Sequence, residues 1–168
     1  MGHHILGFIA KHDELRRAAA ELPGARVAPL NLGFGFLPTT EELVGEDEEV
    51  PYAYLERLTA RLGEWAADQS RGLPLAYVET DYFGGVGSQA AIAWVGGGVV
   101  FGPLRTPPGE NGFAIGPASS NGASNQAVVH PGVARGKSND EFDALGLGVY
   151  RSNEKWLAAT GEAGTGTT

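Results

Sequence analysis

Three apolar, β-prone runs follow one another in the middle of the chain, and they constrain its fold more than any other feature. Leu75 to Val78, Ala90 to Val95 and Val99 to Leu104 are joined only across Asp81–Gln89 and Gly96-Gly97-Gly98. Such short connections make an antiparallel meander the natural arrangement, because parallel neighbours need a long crossover. A further β-type run, His4 to Ala10, opens the chain, and a strand pair is expected within Arg26–Leu37, where Val27, Leu30, Leu32, Phe34 and Phe36 mostly alternate.

Two helical patterns lie between these runs. Leu15, Ala18, Ala19 and Leu22 recur at i, i+3, i+4 and i+7 behind the acids Asp13 and Glu14, and Pro23-Gly24 ends the pattern. The second pattern starts at Pro51, tolerated in a first helical turn, and runs through Leu55, Leu58, Leu62, Trp65, Ala66 and Gln69 to Arg71-Gly72. The resulting expectation is an α+β fold, a mostly antiparallel sheet with two main helices packed on one face. From Thr106 to Asn139 the chain turns rich in Gly, Pro, Ser and Asn, which predicts long loops with a short strand at Gln126–His130. Trp156-Leu157 is expected to close the core, and residues 161–168 to form a flexible tail after a single domain over 1–160.

At 168 residues one domain can bury roughly 70% of its unfolded surface without a metal or disulfide staple. Cysteine is absent, which excludes disulfides, zinc–thiolate sites, iron–sulfur clusters and thiol nucleophiles. The most apolar stretch, Ala90 to Phe101, is far shorter than a bilayer span, and the N-terminus lacks a signal-peptide pattern, so a cytoplasmic protein is expected. Twenty acids against twelve bases give a net charge of −8, which repels nucleic acid and anionic lipid and attracts basic partners.

Few residues carry a recognisable chemistry. Gly85-Val86-Gly87-Ser88-Gln89-Ala90 matches a relaxed dinucleotide fingerprint, which works only where a helix follows; here a strand-like run follows, so the glycines are better read as a turn. Glu79 and Asp81 fall on one face of a strand, about 7 Å apart. They could bind a divalent cation or act as an acid–base pair, but the solvated face of a hairpin is the favoured reading. The four histidines have no metal-binding spacing, and neither a Gly-x-Ser-x-Gly elbow nor a phosphate-binding loop is present. No metal, cofactor or catalytic residue is therefore expected. Glu41, Glu42, Glu46, Asp47, Glu48 and Glu49 form an acidic run without a base, either a solvated loop or the start of the next helix; Asp140, Glu141 and Asp143 form a second cluster.

The segments Ala76–Gln89 and Asp140–Gly148 together resemble small, mostly uncharacterised proteins of high-GC bacteria, some of which resemble immunity proteins of polymorphic toxin systems. The resemblance covers about a quarter of the chain and implies a non-catalytic protein that neutralises a basic toxin domain by direct binding. Glu46, Asp47, Glu48, Glu49, Asp81, Tyr82, Asp140, Glu141 and Asp143 are the candidate partner-binding residues. The alternative is an enzyme or small-ligand protein with its pocket beside the 81–89 turn, closed by the loops that follow Thr106.

Overall fold

The computed structural model describes residues 2–45, 49–83, 86–106, 123–134, 144–147 and 152–158. Six strands form one antiparallel sheet: β1 (Gly2–Lys11), β2 (Ala28–Pro29), β3 (Phe34–Pro38), β4 (Leu75–Phe83), β5 (Val86–Val95) and β6 (Gly98–Thr106). Their spatial order is β2-β3-β1-β4-β5-β6, so the first strand made is near the centre. The described helices are α1 (His12–Ala19), α2 (Glu41–Val44), α3 (Ala60–Gln69), α4 (Ala123–Val128) and α5 (Asn153–Ala158). The expected α+β class and central meander are present.

Alternation along the strands sends side chains to two buried faces. Phe8, Leu37, Leu75, Tyr77, Ile92 and Trp94 meet Leu15 and Ala18 of α1, Leu43 of α2, and Leu62, Trp65 and Ala66 of α3. Phe8 is the hub of this face, its ring 5.2 Å from that of Trp65 and 4.9 Å from that of Tyr77. Ile5, Ile9, Phe36, Ala76, Val78 and Ala91 point the other way, onto Ala127, Val128, Leu145, Leu147 and Trp156. Both main helices thus lie on one face, as expected, while shorter C-terminal pieces cover the second. Trp156 does enter the core, on that second face.

Three local expectations are corrected. Helix α3 begins at Ala60, not near Pro51, because the Thr59 hydroxyl accepts the Leu62 N–H at 3.1 Å and caps the helix there. Leu55 and Leu58 are buried without being helical, so their spacing matched a helix by position alone. Gln126–His130 is not a strand: Ala123–Val128 is helical and a turn follows, which lets Ala127 and Val128 reach the sheet together. Lastly, Glu41–Val44 forms a short helix capped by Thr40, whose hydroxyl accepts the Leu43 N–H at 3.2 Å.

Two ties position the sheet. The β5–β6 hairpin turns through Gly96 and Gly97, at φ of 67° and 93°, values that glycine adopts without steric cost. Both of their N–H groups donate to Ser70 at the end of α3, at 2.8 Å each. At the far side Asn153 lies against β1 beyond the end of β3. Its Oδ1 accepts the Leu6 N–H at 3.0 Å and its Nδ2 donates to the Leu6 carbonyl at 3.1 Å. The amide side chain supplies the Leu6 N–H with its partner beyond β3, while the Leu6 carbonyl also accepts the Thr39 N–H at 2.9 Å and the Thr39 hydroxyl at 3.0 Å.

Candidate functional site

The strand register assembles a polar cleft at the open end of the helix-covered face. Leu6 pairs with Glu79, Glu79 with Ala90, and Ala90 with Arg105, forming one row across four strands. In the next row His4 pairs with Asp81, and Asp81 with Ser88. Ala90 has only a methyl group, so the floor stays low between the β4 carboxylates and Arg105 on β6. The segment before α3 forms the roof with Tyr54 and Glu56. The enclosed volume is about 180 Å³.

Glu79 ties that roof to the sheet. Its carboxylate accepts the Glu56 N–H at 2.8 and 2.9 Å and the Arg57 N–H at 2.9 Å. The Tyr77 hydroxyl donates a further bond at 2.7 Å. Burial pushes the Glu79 carboxyl above its ordinary range; the two backbone N–H groups and the Tyr77 hydroxyl work against this, and the Glu56 charge adds to it. Tyr77 is pushed well up, first by its complete burial and then by the Glu79 charge. The solvated-hairpin reading of Glu79 is therefore overturned: it is 8% exposed and fully engaged. Asp81, two residues on, is exposed as that reading held.

Of the other cleft residues, Thr80 is engaged, its hydroxyl accepting the Ile5 N–H at 3.2 Å. Asp81, Ser88 and Arg105 make no side-chain hydrogen bond or ion pair among the described residues. Tyr54 is 60% exposed at φ 69°, a left-handed conformation that costs a non-glycine residue energy and recurs at ligand and switch sites.

Of the sequence-derived candidates, Glu49 and Asp81 are exposed. The Glu49 carbonyl accepts the Ala60 N–H at 2.9 Å, which places it at the start of α3. Tyr82 lies on β4, its backbone between His3 and Gly87. Glu46, Asp47, Glu48, Asp140, Glu141 and Asp143 lie outside the described residues. Where a dinucleotide fingerprint would need a helix, Val86–Val95 is a strand antiparallel to β4. Among the described residues no group of three His, Asp or Glu side chains is placed to hold a metal, and no helix is long and apolar enough to cross a membrane. Sequence reasoning missed His4, Tyr54, Glu56, Ser88 and Arg105, which only the register brings together. For Glu79 a signal existed: it shares its strand face with Leu75 and Tyr77, both buried.

No family model matches the chain, nor does any curated protein or solved structure.

Proposed function

We propose that the protein is a non-catalytic binding protein that presents its acidic segment to a basic protein partner. The observation that carries this reading is the anchoring of the described residues on either side of 46–48 within the stretch 41–56. That stretch contains seven acids and no base. Yet it is held at both ends, by Leu43 and Leu55 in the core and by Glu79 beneath Glu56. Glu41, Glu42, Glu49 and Glu56 are exposed along it. Where Glu41, Glu42, Glu49 and Glu56 stand on anchored backbone, their charges steer a basic partner with less of the ordering cost that a free loop would add on binding.

In the immunity-type reading the partner is a cognate toxin domain, and Asp81 with the 140–143 acids extends the field. The test is affinity capture at low salt from a lysate of the source organism, eluted with rising salt. A single basic domain should be retained, toxic when expressed alone and harmless when co-expressed with this chain. Replacing Glu46, Asp47, Glu48 and Glu49 by Lys should slow association and flatten its salt dependence. Unchanged association kinetics in that variant would remove the acidic segment from the argument.

A further inference from the structure

We propose that the β4–β6 cleft is also a small-molecule binding site, and that its ligand is a small zwitterion with a free α-amino and a free α-carboxylate group. The cleft carries opposite charges on opposite walls. Glu56 and Asp81 stand on the side of β4 and its roof, and Arg105 on the side of β6. With strands about 4.8 Å apart, β4 and β6 are separated by about 10 Å across the Ala90 floor. Arg105 makes no ion pair across that gap. A guest bearing both charges would complete the row, its ammonium toward Glu56 and Asp81 and its carboxylate on the Arg105 guanidinium, a group suited to bidentate pairing.

Size and polarity narrow the class further. About 180 Å³ is below the usual range for drug-sized or nucleotide ligands and suits a single amino acid. Glu79 also lines the wall, but its oxygens are already used by the Glu56 and Arg57 amides and by Tyr77. The carboxylates outnumber Arg105, so the cleft should prefer neutral or basic amino acids over acidic ones. Ser88 and the Tyr54 ring at the rim favour a short, polar side chain. Glu56 and Asp81 are shared with the partner reading, but the 46–49 run lies outside this cleft, so charge reversal there tests the partner reading and leaves the amino-acid site intact.

The test is thermal melting and calorimetric titration of the full chain with glycine, L-serine, L-lysine and L-glutamate, each against its N-acetyl and amide derivatives. Free serine or lysine at about 10 mM should raise the melting midpoint by several degrees, as a ligand that binds only the folded state must. Both blocked forms should bind at least about tenfold more weakly, since each loses one charged contact. Arg105→Gln and Asp81→Asn, both at exposed positions, should fold normally and lose affinity by a similar factor. The proposal is overturned if no free amino acid shifts the midpoint, if blocked forms bind as well as free ones, or if Arg105→Gln binds undiminished. Loss of captured protein partner with retained amino-acid binding would remove the partner reading alone.

Discussion

Replacing Glu79 tests whether one buried carboxylate holds the roof of the cleft onto the sheet. In Glu79→Ala two backbone amides and the Tyr77 hydroxyl lose their acceptor. The amides border the cleft and can take water. The hydroxyl belongs to a residue with no exposed surface and cannot do so as readily. A stranded buried group costs about 1–3 kcal/mol, and removing the carboxylate also relieves its own desolvation. The expected net loss is about 1–3 kcal/mol, a large part of the stability of a domain this size. Glu79→Gln keeps one acceptor oxygen and should lose about 1–2 kcal/mol. The sign of the pH effect follows from burial. Because the folded Glu79 carboxyl lies above its ordinary range, the native state binds this proton more tightly than the unfolded chain. That contribution is complete below the ordinary Glu range and is lost as pH rises through the raised folded value. Gln does not titrate, so the deficit of Glu79→Gln should shrink as pH rises across that interval. Urea unfolding followed by tryptophan fluorescence, at several pH values between about 4 and 8, gives both quantities. Amide exchange at Glu56 and Arg57 should also quicken in Glu79→Ala. An alanine variant as stable as the parent, or a glutamine deficit that grows with pH, would refute the reasoning.

Three other substitutions probe the frame. Gly7→Ala places a Cβ against the Leu37 carbonyl and 2.6 Å from the Phe36 ring, and should cost about 2 kcal/mol or more by urea unfolding. Thr59→Ala removes the cap of α3 and should cost about 1 kcal/mol, while Thr59→Ser should be close to neutral. Asn153→Ala leaves the Leu6 N–H without its acceptor while the Leu6 carbonyl keeps its bonds from Thr39; a loss of about 1–2 kcal/mol with faster exchange at the Leu6 amide is expected.

The meander was legible because Ala90–Val95 and Val99–Leu104 are apolar runs divided by glycines that suit a hairpin. Helix α1 was legible because its buried residues share one phase and its end carries Pro23-Gly24. The start of α3 was not, since Leu55 and Leu58 keep helical spacing while serving an irregular segment pinned by Glu79. The second buried face had a sign in Ile5–Ala10 and Leu75–Val78, unbroken apolar runs of the kind that strands covered on both sides show. Its cover comes from short pieces around Val128, Leu147 and Trp156, each too brief for a period to declare itself. The cleft was illegible for a different reason. Tyr54, Asp81, Ser88 and Arg105 come from four separate segments, and only pairing partners fixed at residue precision put them around Ala90.

The place of β1 in the sheet sets a timetable for synthesis. The Ile5 N–H donates to the Thr80 hydroxyl 75 positions later, and Leu6 is closed by Asn153 147 positions later. During translation β1 can pair with β3 early, but its β4 edge stays open until residue 83 has been made, and its second face until Trp156 has. Folds dominated by such distant pairings form slowly and pass through sticky, half-covered states. For this chain the exposed intermediate would be the sheet with its helices docked and its second face bare. Holding that species clear of neighbouring chains is then the work of the cell's chaperones, and a slow final step of folding, sensitive to Asn153, is its expected kinetic trace.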